Sequence, residues 1–308
     1  MEKLTTANSQ SPEFNSKKRW SEKDIPYFEQ FLLCCFEETK YSIGLHNQNF
    51  YEVNIVSNGS GEHYINGIGF AVRLGDVFVI PPGVDHGYKS NGRLNVYHLL
   101  IHPLFFDKYH SDLISQKGYH MLFTVEPFFR AETFFRYGLK LKRKDFARVL
   151  SFCRDLNCEL RDNNPKKKII CQAMGLLIVS QLCRYYEIYY STFLETVHVH
   201  REMKAISTVL EFIQAHYENK ITLGELASAA NLNQIYFSRL FKKITGMSPF
   251  SYLIEYRIME AKNLLRETDL KITEIAQRTG FFDSAHFTKH FSRLAGMSPK
   301  RYRENILN

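Results

Sequence analysis

The sequence predicts an α+β chain with an N-terminal β-barrel, a helical connector and a C-terminal all-α domain carrying two helix-turn-helix units. Three observations support this. A unit of about fifty residues occurs twice near the C-terminus, short strand-like runs separated by Gly, Pro and Asn fill residues 28–105, and two long stretches between them carry apolar residues at helical spacing. At 308 residues the chain has room for about two domains, and a hydrophobic content of 44% supports sizeable cores. The expected boundaries are a flexible tail over 1–22, the barrel over 23–144, the connector over 145–200 and the helical domain over 201–308.

Residues 1 to about 20 are polar and read as a loose tail. Strand-like runs occupy 50–56, 62–65, 77–80 and 94–99, divided by Ser57-Asn58-Gly59-Ser60-Gly61, Asn66-Gly67 and Pro81-Pro82-Gly83. Asn66-Gly67 is a two-residue hairpin signal, and many short strands with such turns argue for a sandwich or barrel. Two stretches resemble the cupin barrel: Gly75-x5-Pro81-x-Gly83-x2-His86 is similar to its second motif, and His46-x-Gln48-x3-Glu52-x6-Gly59 to its first, with Gln48 in place of a histidine. The resemblance covers about forty residues. In metal-binding cupins the matching positions hold the ion. The two His and one Glu that remain here form a set able to take a transition metal with open positions, and the missing histidine argues against it. A purely structural reading has His86 closing the barrel by bonding backbone. The aromatic stretch 106–144, with Phe106, Phe123, Phe128, Phe129, Phe134 and Phe135, reads as packing that covers the barrel and leads out of it, ahead of an aromatic ligand box.

In the connector, Phe146, Val149, Leu150, Cys153, Leu156 and Leu160 form one helical stripe from about 145 to 161, and Asp162-Asn163-Asn164-Pro165 stops it. A second helix over 166–190 spreads Ile169, Ile170, Ala173, Met174, Leu177, Val179 and Leu182 around much of its surface. A helix apolar on more than one face needs more than one partner, so this antiparallel pair is expected to pack on the barrel and on a second subunit, forming a homodimer. Lys166-Lys167-Lys168 reads as a solvated helix start rather than a phosphate patch.

The repeat is explicit. Glu225-Leu226-Ala227, Tyr236-Phe237, Phe241 and Gly246-Met247-Ser248-Pro249 return as Glu274-Ile275-Ala276, His286-Phe287, Phe291 and Gly296-Met297-Ser298-Pro299. The offset grows from 49 to 50 because one residue enters the second copy near Phe282. Thr222-x-x-Glu225 is a capping box, Asn231-Leu232-Asn233 a turn, and Phe237, Leu240, Phe241 and Ile244 one buried stripe. Asn233 caps the second helix, which turns Gln234, Ile235, Ser238, Arg239 and Lys242 outward; its counterpart turns Ser284, Ala285, Thr288 and Lys289 outward. Lys271 replaces the capping Thr222, leaving that cap lost, and Asp283 is the expected cap of the second helix of this copy. Gly supplies the left-handed C′ residue after each unit, Ser the next N-cap and Pro the first helical position.

These residues resemble the AraC/XylS family of transcription regulators over about 201–303. The second copy carries most of the likeness, through Glu274-Ile275-Ala276, Gly280-Phe281, His286-Phe287, Phe291, Gly296 and Pro299-x-x-Tyr302-Arg303. The resemblance implies a double-stranded DNA partner, read by Asn233, Gln234, Ile235, Ser238, Arg239, Lys242, Ser284, Ala285, Thr288 and Lys289. It also implies that a cupin-like barrel ahead of them holds a small effector. In sugar-responsive relatives that ligand is small and polar, which points to His46, Gln48, Glu52 and His86, with Tyr88 or Tyr51 to stack on a sugar face. Activation, and RNA polymerase as a further partner, follow from the family alone.

Net charge is +8, and the excess is denser from 201 onward, where 16 Lys and Arg face 11 Asp and Glu, as a polyanion partner favours. The six cysteines, Cys34, Cys35, Cys153, Cys158, Cys171 and Cys183, lack zinc-site spacing and read as buried free thiols of a reducing cytoplasm. No signal peptide and no membrane-spanning run are expected. Nucleophile triads and phosphate loops are absent, so no enzyme and no cofactor are expected. The rival reading is a metal-dependent cupin enzyme fused to a DNA-binding module, with Gln48 against it.

Overall fold

The computed structural model describes residues 18–25, 28–90, 92–114, 116–128, 138–161, 164–190 and 198–307. Most of the tail expected over 1–22 lies outside these residues, as do Phe129, Phe134, Phe135, Asp162 and Asn163. The architecture is α+β. The chain divides into two compact units, Met1–Pro103 with Arg130–Gly175, and Leu104–Phe129 with Leu176–Asn308.

The first unit contains β1 (Lys18–Trp20), β2 (Leu33–Glu38), β3 (Ile43–Gln48), β4 (Tyr51–Asn58), β5 (Ser60–Ile65), β6 (Ile68–Arg73), β7 (Asp76–Ile80), β8 (His86–Lys89), β9 (Asn95–Ile101) and β10 (Leu139–Lys140). They form two five-stranded sheets, in the orders β1-β3-β8-β5-β6 and β10-β7-β4-β9-β2. Apart from the parallel pair β1–β3, the ladders are antiparallel. Tyr41, Val56, Val72, Phe78, Tyr88, Leu94 and Val96 from both sheets share one core. Among the described residues the sheets are not joined into a closed ladder, so the expected barrel is a two-sheet cupin-like body. The corners explain this. Gly59, at φ 75°, passes the chain from β4 in one sheet to β5 in the other, and a Cβ there would collide with the Arg93 carbonyl. Between β7 and β8, Pro81 and Pro82 have no N–H with which to extend a ladder. The hairpin at Asn66-Gly67 forms as read, with Ile65 opposite Ile68 and φ of 48° and 83° at the two turn residues, the signs of a type I′ turn.

Helix α1 (Arg143–Arg161) covers the β2 edge of the second sheet and buries Val149, Leu150, Cys153, Leu156 and Leu160, the stripe expected from sequence. The Cys35 thiol donates to the Cys153 carbonyl at 3.6 Å. With the core on one side and α1 on the other, the strands of this sheet read as apolar runs rather than clean alternation. All six cysteines are free thiols; Cys158 is exposed and Cys34 half-buried, against the expectation that all are buried. Helix α2 (Lys168–Tyr190) follows. Over Pro165–Tyr189 it is long and apolar enough to cross a membrane, where no such run was expected. Half of that span is buried inside the protein, which fits a core helix.

The second unit is helical. It contains α3 (His198–His216), α4 (Leu223–Ala229), α5 (Gln234–Thr245), α6 (Pro249–Glu267), α7 (Ile272–Arg278), α8 (Ser284–Ala295) and α9 (Pro299–Leu307). Of the aromatic stretch 106–144 expected to cover the barrel, Leu139–Lys140 joins the first unit as β10, while the part up to Phe128 packs here instead, its π-helical turn Met121–Val125 lying against α3 and α5. Its rings pair among themselves, Phe106 with Phe123 at 5.3 Å and Tyr119 with Phe123 at 5.2 Å. The Lys243 ammonium sits 5.6 Å over Phe128.

Thr222 and Glu225 close the capping box of α4, the hydroxyl accepting from Glu225 N–H at 3.2 Å and the carboxylate from Thr222 N–H at 2.8 Å. In the second copy the Lys271 side chain caps nothing, yet the Glu274 carboxylate still accepts from the Lys271 N–H at 2.7 Å, so only half of the box is lost. Asn233 and Asp283 cap α5 and α8, accepting from Tyr236 N–H at 2.9 Å and His286 N–H at 2.6 Å. Gly246 and Gly296 end them in the left-handed region. Helix α6 packs on α5 of the first copy and on α7 and α8 of the second.

Candidate functional site

The strand registers assemble a buried polar cluster between the two sheets. His46 on β3 lies opposite His86 on β8, with ring centroids 4.2 Å apart. Glu52 on β4 comes from the other sheet. Its two carboxylate oxygens face His86 Nε2 at 3.1 Å and His98 Nδ1 at 2.8 Å. His98 stands opposite Asn54 on the paired strands β4 and β9, which puts it diagonal to Glu52 on the same face. Burial alone would raise the Glu52 carboxyl; the flanking His86 and His98 outweigh it and hold the group well below the usual carboxylate range. Burial, reinforced by His86, lowers His46 and favours its neutral ring.

A cavity of about 340 Å³ opens onto this cluster. Its polar lining includes His46, Gln48, Glu52 and His98, and its apolar walls include Phe36, Ile43, Phe50 and Leu100. Among the described residues, the buried Gln48 amide has no hydrogen-bond partner at either its oxygen or its nitrogen, and His98 Nε2 has none either. His86 sits behind the cavity wall, bonded to Glu52 and facing the Val84 carbonyl at 3.2 Å through Nδ1. Tyr88, expected to stack on a ligand, is turned into the core: its ring lies flat on His63 at 4.2 Å and its hydroxyl accepts from the Asn54 amide at 3.0 Å. The other ring proposed for stacking, Tyr51, does not line the cavity. The residues missed by sequence reasoning are His98 and the wall aromatics Phe36, Phe50 and Tyr41. The signal for His98 was a single histidine within the apolar run 94–101.

His46, Glu52 and His86 each offer a ligand atom within 4.8 Å of the others, so the donor set fits a divalent metal. His46 Nδ1 faces the Gly44 carbonyl at 3.0 Å and His86 Nδ1 faces the Val84 carbonyl, which leaves Nε2 of each ring as the atom a shared centre would use, although His86 Nε2 is bonded to Glu52 at 3.1 Å here. Against that, Glu52 already spends its second oxygen on His98.

On the second unit, Gln234, Ile235, Arg239 and Lys242 of α5 are exposed and Ser238 is half-exposed. Ala285 and Lys289 of α8 are exposed, with Ser284 and Thr288 half-exposed. Asn233 spends its side-chain oxygen on the helix cap. The opposite faces bury Phe237, Leu240, Phe241 and Ile244, and Phe287 and Phe291. Each copy therefore presents a second helix with a buried aromatic stripe and an outer face bearing cations, the geometry of a DNA-reading helix. Phe282 and Tyr236, also exposed, were not among the expected contacts.

A pocketed two-sheet unit in one chain with two such helices defines a DNA-binding transcription regulator with a ligand-binding domain. Residues 32–143 match the family model described as an AraC-like ligand binding domain, and residues 226–305 match a helix-turn-helix domain. The chain belongs to the AraC/XylS family of transcription regulators. It is 26% identical over 257 residues to the uncharacterized HTH-type transcriptional regulator YisR of Bacillus subtilis, covering 78% of this chain and 81% of that protein. It is 26% identical over 264 residues to the HTH-type transcriptional activator RhaR of Yersinia pestis, covering 85% of each. Among solved structures, the DNA-binding domain of AdpA in complex with a target DNA matches 33% of this chain and 91% of that one, at 31% identity and a TM-score of 0.32.

Proposed function

We propose that the chain is a cytoplasmic transcription activator responding to a small, uncharged polyhydroxyl ligand, a sugar or sugar derivative, held in the cavity beside Gln48, Glu52 and His98. The lining carries this reading. The Gln48 amide can both donate and accept, and His98 Nε2 can accept because Nδ1 donates to Glu52. Vicinal hydroxyls satisfy both, and buried polar groups gain most from such partners. The cavity is bordered by Asp24, Glu38 and Glu52, and by no Lys or Arg among the described residues. A carboxylate or phosphate would lie there without a counter-charge.

Gln234, Ile235, Ser238, Arg239 and Lys242, with Ser284, Ala285, Thr288 and Lys289, are the DNA-facing residues in this reading. Arg239 and Lys289 serve equivalent positions one repeat apart. A homodimer through α2 is supported by Ile169 and Ile170, 79% and 51% exposed on that helix. The activator reading, and with it contact with RNA polymerase, is supported by the relatives called activators.

A second reading is a divalent metal held by His46, Glu52 and His86, favoured by the backbone carbonyls that turn both Nε2 atoms inward. Such an ion would supply a Lewis acid to a ligand oxygen, and this is the reading in which an enzyme activity would have to reside. A thermal-shift screen of neutral sugars, sugar acids and sugar phosphates, with and without chelator, separates the two. A neutral sugar at about 100 times its dissociation constant adds roughly 2.7 kcal/mol, or several degrees of melting temperature. The stabilisation should survive chelator and vanish in Gln48→Ala. A hit abolished by chelator and restored by one divalent ion establishes the second reading instead. Stabilisation by anionic sugars alone contradicts the neutral-ligand reading.

A further inference from the structure

We propose that Phe282 and Ile235 read thymine methyl groups on the floor of the major groove, making this regulator selective for thymine at one position under each reading helix. The inference rests on the DNA reading given above and adds the base identity that the two helices select.

The observation is an exposed apolar side chain at the entering end of each reading helix. Ile235 is the second residue of α5 and is 69% exposed; Phe282 immediately precedes the Asp283 cap of α8 and is 95% exposed. In the pair Phe281-Phe282, only the first ring enters the core, where it packs on Phe287 at 5.2 Å. The second contributes nothing to that core. The backbone leaves little choice, because Asp283 and Asn233 accept from the helical N–H groups of His286 and Tyr236 and fix both helix starts. Phe282 is also where the second copy gains its extra residue. Ile235 aligns with Ala285, a smaller side chain, so the second copy presents its large apolar group from the inserted position instead.

N-terminal residues of a reading helix are the ones that reach base edges. Among the groups displayed in the major groove, the thymine 5-methyl is the apolar one; the others donate or accept hydrogen bonds. The side chains beside Ile235 and Phe282 suit such a groove: Gln234 and Ser284 can hydrogen-bond base edges or phosphates, and Arg239, Lys242 and Lys289 supply cations. A fully exposed phenylalanine is unfavourable in water, and covering it with a methyl group reverses part of that.

The test uses the full-length protein. Duplexes are selected from a random library, and each thymine of the enriched duplex is then replaced by deoxyuridine, which removes the methyl group and leaves the base-pairing edge intact. Binding is followed by fluorescence anisotropy at fixed salt. The expected result is one or two positions where deoxyuridine weakens binding about three- to tenfold. Phe282→Ala should erase the effect at one of them and Ile235→Ala at the other, while Phe282→Leu retains part of it. Both side chains are exposed, so the variants should melt like the wild type, which a thermal scan verifies. An enriched duplex insensitive to deoxyuridine everywhere overturns the inference and leaves the DNA reading intact. So does a Phe282→Ala protein with unchanged affinity and unchanged deoxyuridine sensitivity; the ring would then belong to a protein contact. If no sequence is enriched, the DNA reading and this inference fall together.

Discussion

Gly280 sits in the turn of the second copy at φ 75°, where a Cβ would meet the Tyr217 carbonyl oxygen at 2.5 Å and the Arg257 guanidinium at 2.8 Å. Arg257 is itself committed, donating to the carbonyls of Tyr217 at 2.8 Å and Asn219 at 2.7 Å. Gly280→Ala therefore combines left-handed strain with a collision against backbone. It should cost at least about 1–3 kcal/mol, measured by denaturant unfolding of the full chain. Arg239→Ala tests a different kind of residue, exposed and outside the core. Losing one base-edge contact should cost about 1–3 kcal/mol of binding, with discrimination lost at one part of the selected duplex; equal weakening on all sequences would make it a phosphate contact. Glu52 gives the pH dependence. Its folded carboxyl lies well below the usual range, so its stabilisation is complete above the unfolded value of about 4.3 and disappears as pH falls through the folded value. Glu52→Gln removes the carboxylate that both histidines face and should be destabilised at pH 7 by about 1–3 kcal/mol, the cost of leaving a buried polar group unsatisfied, and should lose less than the wild type on acidification. An acid limb that is unchanged in the variant would remove Glu52 from that role.

At the scale of elements, α2 carries the assembly argument. Ile169, Ile170 and Leu177 are exposed on a helix whose other faces bury Cys171, Ile178, Val179, Leu182 and Cys183. Light scattering of the full chain should give the mass of two chains, and Ile170→Glu with Leu177→Glu should shift it to one; a wild-type monomer at tens of micromolar, about the range of a typical specific interface, contradicts the assignment. The elements also show what a sequence reveals. The tandem helical units were legible because their signals are local: caps, left-handed glycines and a stripe repeating within one helix. Asn66-Gly67 revealed its hairpin for the same reason. The convergence of His46, Glu52 and His86 was legible only through motif spacing, since they lie on three strands of two sheets. His98 was not legible as part of the site, because its place beside Glu52 depends on the β4–β9 register, a non-local pairing. Tyr88 was misplaced for a related reason: strand alternation does not tell whether an inward side chain meets a cavity or another ring. The aromatic segment 104–128 had stickiness without direction, and apolar content alone cannot choose between two hydrophobic partners.

At the scale of the whole molecule, one chain carries both a pocket and a pair of DNA-reading helices. A ligand can alter DNA binding only if it prefers one of two arrangements of the protein, and linkage makes the effect mutual. The most direct measurement is that reciprocity. With the sugar found by thermal shift and the duplex found by selection, the affinity of full-length protein for duplex is measured with and without saturating sugar. The affinity for sugar is then measured with and without saturating duplex. The two ratios should agree and depart from one, by a factor of about 5–150 for typical coupling, and Gln48→Ala should abolish the response to sugar while leaving duplex affinity near that of the unliganded protein. Sugar and duplex that each bind tightly with both ratios equal to one would contradict the account.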